Sequence, residues 1–110
     1  MNFHAVAKLS DVGAGDIVPV AVGGVEMILY RVGDRLYAAQ RRCLHQGADL
    51  SEGLVLRGSI VCARHGWRFD ATTGQHEAAT ENCLVMYEVE VRGDEVWVDP
   101  TPVRRGGFHE

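Results

Sequence analysis

Two short segments carry the residues best suited to chemistry: Cys43-Leu44-His45 and, after sixteen intervening residues, Cys62-Ala63-Arg64-His65. Thiolates are soft donors that suit iron–sulfur iron and zinc, and imidazole serves both metals. Two thiolates with two imidazoles therefore admit two readings. One is a [2Fe–2S] centre in which Cys43 and Cys62 hold one iron and His45 and His65 the other. The other is a tetrahedral zinc staple in an interaction module without redox role. Against zinc stand the tight Cys-x-His spacing and the lack of a histidine pair at zinc-finger spacing. The remaining cysteine, Cys83, opens an apolar run and reads as core packing.

Such loops need a rigid support, and the sequence supplies one in β-structure. No stretch keeps a helical period; short β-rich runs separated by glycine turns dominate. Strands are predicted over residues 3–9, 17–22, 25–32, 35–40, 54–62, 67–70, 84–91 and 95–99, with at most one helical turn in 10–15. Val85, Tyr87, Val89 and Val91 alternate with Glu88 and Glu90, the pattern of a strand with one buried face. Gly23-Gly24, Gly33-Asp34 and Gly93-Asp94 have hairpin-turn chemistry. The fold class expected is all-β, an antiparallel sandwich or partly closed barrel in one domain spanning 1–110. Its strand rhythm is broken by two loops, about 41–53 and 62–82, and residues 100–110 read as a loose tail.

Composition narrows the setting. The chain has 110 residues, 46% hydrophobic and 24% charged, enough for one modest core. A net charge of −4 opposes general nucleic-acid binding, which needs a basic stripe. The apolar runs are too short to span a bilayer, and no secretory signal is visible at the N-terminus, so a cytoplasmic location is expected. There thiols stay reduced, and cysteines close to histidines read as metal ligands before bridges.

Taken together, Cys43-Leu44-His45-Gln46-Gly47 and Cys62-Ala63-Arg64-His65-Gly66-Trp67-Arg68-Phe69-Asp70 resemble the paired signature of Rieske ferredoxins. Leu50-Ser51-Glu52-Gly53, Thr73-Gly74 and the stretch 87–98 extend the resemblance over most of the chain. It implies an antiparallel β-sandwich with a small cluster-binding subdomain of two loops. It also implies one Rieske-type [2Fe–2S] cluster on Cys43, His45, Cys62 and His65, histidines outermost and cysteines deeper. The expected role is a monomeric carrier of single electrons from a flavin-dependent NAD(P)H reductase to a terminal oxygenase, with no catalysis of its own. Residues 81–94 look most like the ferredoxins of toluene-type monooxygenases, with those of aromatic-ring dioxygenases nearly as similar. The small Rieske subunit of a nitrite reductase system is an alternative within the class.

Departures from the resemblance are informative. Respiratory Rieske proteins add a disulfide between the loops, at positions held here by Ala48 and Arg64. They also place hydroxyl donors where this chain has Trp67 and Phe69. Fewer donors to the reduced cluster imply a potential near the low end of the Rieske range, about −150 to +300 mV. Gly47 and Gly66 are expected to let backbone N–H groups approach the cluster sulfurs, and Leu44 to cover it. Asp49, Glu52, Asp70 and Glu77 are candidates for steering a basic partner. His4, His76 and His109 are expected in solvent, His76 being the one of the three placed to lie near the cluster loops, and Trp67 either shields the cluster, forms part of the docking surface or packs as an ordinary aromatic.

Overall fold

The computed structural model describes residues 2–43, 47–64, 66–78 and 83–104. Nine strands follow in order: β1 His4–Lys8, β2 Ile17–Val22, β3 Val25–Val32, β4 Arg35–Gln40, β5 Leu54–Leu56, β6 Ser59–Val61, β7 Arg68–Asp70, β8 Met86–Arg92 and β9 Glu95–Arg104. Two three-residue 3-10 turns, Leu9–Asp11 and Leu50–Glu52, are the only helical elements among the described residues. Every strand pairing is antiparallel. A six-stranded sheet runs β1-β9-β8-β4-β3-β2, and a three-stranded sheet runs β5-β6-β7. The edge strands β1 and β2 lie close to one another, so the large sheet curls towards closure.

β3 explains how the two sheets are joined. Met27, Ile28, Leu29 and Tyr30 are all fully buried, because this strand has protein on both faces. Met27 and Leu29 enter a core inside the curl with Val12, Val22, Ala38, Val96 and Val98. Ile28 and Tyr30 point the opposite way, into a second core with Ala39, Leu50, Ile60, Phe69, Leu84 and Met86. That second core cements the small sheet to the large one. β4 sits between the same two cores and contributes the fully buried Ala38 to one and Ala39 to the other.

One tie crosses the second core. The Tyr30 hydroxyl donates to the Ala71 carbonyl at 2.6 Å, linking β3 to the turn after β7. Burial pushes the Tyr30 phenol well above its usual range, with Tyr37 and Asp70 adding to the shift. It therefore stays a donor at any physiological pH.

The all-β expectation holds, with three differences in detail. Residues 54–62 form a hairpin, not one strand, with Leu56 opposite Ser59 around Arg57-Gly58. Both turn residues have positive φ, 53° and 78°, and an arginine in that region is uncommon enough to hide the turn. β9 does not stop at Asp99 but runs through Pro100 and Pro102 to Arg104. Prolines fit there because β1 pairs β9 no further than Val98 and the β8–β9 register is irregular beside them. On β8, Tyr87 and Val89 face the inner core as expected, whereas Val91, near the strand end, is 45% exposed. Residues 105–110 of the expected tail lie outside the described residues.

Candidate metal centre

The first loop leaves the end of β4 and is tied down before it reaches Cys43. The Gln40 amide oxygen accepts from Val85 N–H at 2.7 Å, and its Nε2 donates to the Arg42 carbonyl at 2.6 Å. Asp49 then closes the far side. Its two oxygens accept from Arg41 Nε at 3.1 Å and Nη2 at 2.8 Å, a bidentate pair. One of them also caps the 3-10 turn, accepting from the Ser51 N–H at 2.9 Å and the Ser51 hydroxyl at 2.7 Å. The hydrogen bond from Arg41, helped by Ser51, outweighs burial and holds the Asp49 carboxyl well below the usual carboxylate range.

The second loop repeats the frame of the first. Cys43 N–H donates to the carbonyl five residues on, Ala48, at 2.7 Å; Cys62 N–H does the same to Trp67 at 2.8 Å. Gly47 N–H returns to the Cys43 carbonyl at 3.2 Å, and Gly66 N–H to the Cys62 carbonyl at 3.0 Å. Both glycines have left-handed φ, 67° and 70°, which is why glycine stands four places after each cysteine. Their own N–H groups thus bond the cysteine carbonyls.

Behind the second loop, β7 folds back on residues 75–77. Asp70 N–H donates to Gln75 O at 2.8 Å and Glu77 N–H to Arg68 O at 3.0 Å, with Phe69 opposite His76. The turn closes through Gly74, whose carbonyl accepts from Leu84 N–H at 2.7 Å. A side chain at Gly74 would meet Leu84 O and Met86 Sδ, each 2.9 Å from its Cβ, and φ is +81°. Cys83 lies fully buried in this seam, its thiol 3.4 Å from the Thr73 carbonyl, in keeping with a packing role.

The structure brings Cys43 and Cys62, 3% and 1% exposed, into the one core that joins the sheets. His45, His65, Leu44 and Gln46 lie outside the described residues, as does His109. His4 is exposed as expected, but His76 is not in solvent: it is 8% exposed and packed against Trp67 and Phe69. Trp67 is half-buried and belongs to the packing around the core.

Three of the four acids expected to steer a partner have work inside the fold. Asp49 holds Arg41 and Ser51; Asp70 accepts from the Thr72 N–H at 2.8 Å, the Thr72 hydroxyl at 2.7 Å and the Thr73 N–H at 3.3 Å; Glu77 accepts from the Ser59 hydroxyl. Glu52 alone keeps an exposed carboxylate with no such hydrogen bond among those described. Sequence reasoning passed over Gln40 and Tyr30, and noted Gly53 only as part of Leu50-Ser51-Glu52-Gly53, without its role. A Cβ at Gly53 would collide with the Val61 carbonyl, next to Cys62, so this glycine lets the two loops close on each other.

Each of the two equivalent loops seats one buried thiol on the β-scaffold, and in the sequence a histidine follows each cysteine two or three places on, which offers sulfur and imidazole donors in equal number. That donor chemistry fits an iron–sulfur cluster held half by thiolate and half by imidazole. Residues 2–91 match the family model of the Rieske [2Fe-2S] domain, and the chain belongs to that family. Its cofactor is accordingly a [2Fe–2S] cluster, and the zinc reading falls away.

The chain is 40% identical to Ferredoxin CarAc of Metapseudomonas resinovorans over 97 residues, covering 84% of this chain and 89% of that protein. It is 38% identical to the ferredoxin component of the naphthalene 1,2-dioxygenase system of Pseudomonas putida over 98 residues, 87% of this chain and 92% of that one. The ferredoxin component of the alkene monooxygenase system of Xanthobacter autotrophicus is 29% identical over 120 residues, with 97% and 98% covered. Among solved structures, a ferredoxin in a complex of reduced oxygenase and oxidized ferredoxin in carbazole 1,9a-dioxygenase superposes with TM-score 0.83 and 36% identity, covering 94% and 97%. These relatives are electron-transfer components, distinct from the oxygenases they serve. No helix among the described residues is long and apolar enough to cross a membrane.

Proposed function

We propose that this chain is a ferredoxin that carries single electrons from a flavin-dependent NAD(P)H reductase to a terminal oxygenase. In this reading Cys43 and Cys62 hold one iron of the cluster, and His45 and His65 hold the other. The observation that supports it is the repeated frame: two loops with the same hydrogen bonds, each delivering one buried cysteine to a shared core. Bound there, the cluster would take up and release one electron at a time.

The protein's own residues would set the terms of that exchange. Core packing around Cys43 and Cys62 keeps water from the sulfur side. The bidentate Arg41–Asp49 pair and the Gln40 amide hold the first loop in one shape, which limits reorganisation when charge arrives. No substrate pocket is required, because the donor and acceptor belong to other proteins. Docking would bury less than about 1,200 Å² so that each partner is released quickly. The chain would act as a monomer in the cytoplasm.

Higher identity to the naphthalene and carbazole systems than to the alkene monooxygenase favours an aromatic-ring dioxygenase as the acceptor. The test is anaerobic purification followed by iron and acid-labile sulfide analysis, then substitution of each ligand. We expect two irons per chain in the unmodified protein. Cys43→Ser, Cys62→Ser, His45→Ala and His65→Ala should each abolish the visible and paramagnetic signature. A His65→Ala protein with an unchanged paramagnetic signal on reduction would remove that residue from the ligand set. Turnover reconstituted with a reductase and candidate oxygenases then tests the partners.

A further inference from the structure

His76 lies outside both ligand motifs, yet its surroundings connect it to the second one. The imidazole is 8% exposed. Its ring centroid is 4.4 Å from that of Trp67 at 84° and 5.3 Å from that of Phe69 at 89°, edge-to-face with both. Residues 67 and 69 share a face of the chain, and His76 sits across from Phe69 in the adjoining segment, so its ring wedges between two aromatics of the same row. Its Nδ1 accepts from the Ala78 N–H at 3.0 Å, which fixes the ring's rotation. One edge of the wedge opens on a groove of about 300 Å³ lined by Gly66, Trp67, Arg68, His76, Glu77 and Ala78.

The other end of Trp67 is its carbonyl, and that carbonyl closes the second loop on the Cys62 N–H at 2.8 Å. A residue that immobilises the Trp67 ring therefore immobilises the peptide that frames Cys62. We infer that His76 is a positioning residue for the second ligand loop, acting through Trp67 and Phe69. This rests on the reading of Cys62 and His65 as ligands. Only a ring with an acceptor atom meets both demands of the site. Phenylalanine would keep the wedge and lose the bond from Ala78; asparagine would keep an acceptor and lose the wedge.

The test uses the cluster-loaded protein and the variants His76→Ala, His76→Phe and His76→Asn. Val96→Ala, which trims the other core, controls for general destabilisation. The readouts are the rate at which visible absorption is lost to an iron chelator, the midpoint potential, and amide exchange in residues 62–70. Two edge-to-face contacts predict that His76→Ala loses its cluster roughly fivefold to a hundredfold faster than the unmodified protein. The Phe and Asn variants should fall between, with faster amide exchange in 62–70, and Val96→Ala should stay within about twofold in loss rate while melting earlier. If the unmodified protein holds no iron, the ligand reading falls and this inference with it. If it does hold iron and the His76 variants behave as Val96→Ala does, only the inference is overturned.

Discussion

Gly53→Ala isolates a single steric demand at the meeting of the two loops. The backbone at Gly53 has φ −88° and ψ −155°, a conformation open to alanine, so no dihedral strain enters. Space is the obstacle. An added Cβ would lie 3.1 Å from Val61 C and 3.4 Å from Leu50 O, and nearer still to Val61 O, inside its van der Waals envelope. An ordinary carbon–oxygen contact needs roughly 3.3–3.6 Å, so the Val61 carbonyl must retreat by more than about 1 Å. Val61 cannot move alone: it pairs with Leu54 on one side and Arg68 on the other, and Cys62 follows it. Relief means breaking the middle of the small sheet, at a cost of about 3 kcal/mol or more. For a domain of this size that is a fall in Tm of roughly 12 °C or more. Gly23→Ala is the matched control, since Gly23 has φ +56° and open space around it and should cost only about 1–2 kcal/mol through left-handed strain. Thermal unfolding followed by circular dichroism, with iron content measured in parallel, decides the matter. The reasoning is refuted if Gly53→Ala melts no earlier than Gly23→Ala and keeps its full iron.

Tyr30→Phe should lower stability by about 1 kcal/mol, read in denaturant titration, because it leaves the buried Ala71 carbonyl without its donor. The Asp49 carboxyl, held below its unfolded value of 3.8, contributes stability that is complete above about pH 4 and is lost as pH falls below that value towards its folded one. Acid titration of Tm should therefore steepen below about pH 4, and Asp49→Asn should flatten that limb. The midpoint potential, measured by spectroelectrochemistry, should lie near the lower end of about −150 to +300 mV. A value near the top of that interval would show that donors other than the missing hydroxyls govern it.

What the sequence disclosed follows from which constraints are local. Strands β2, β3 and β4 begin and end where expected, because Gly23-Gly24 and Gly33-Asp34 mark their turns by backbone chemistry alone. The hairpin at Arg57-Gly58 was hidden because an arginine in left-handed conformation carries no turn signal of its own. Pro100 and Pro102 read as a strand stop, since sequence does not reveal that β1 leaves that flank of β9 unpaired. Residue type and spacing singled out Cys43 and Cys62, the two thiols that the structure brings into one core. The nearness of His76 to the loops was foreseen but its burial was not, because nothing within its own neighbourhood of the chain points to Trp67; the contact exists only once β7 has folded back. The hydrogen bonds of Asp49, Asp70 and Glu77 were hidden for the same reason: these acids carry charge in the sequence but meet their donors only in three dimensions.

The three thiols sit in two different kinds of place, and that difference can be counted. All three are buried, but Cys43 and Cys62 stand at the head of loops that iron would hold shut, whereas Cys83 is sealed in the seam between Thr73 and Leu84. A thiol reagent added to the loaded protein should find none of them. Stripping the iron at neutral pH should expose two to the reagent, and the last should answer only when the scaffold itself melts. Titrating sulfhydryls thus separates loss of the cofactor from loss of the fold, with no label added to the chain.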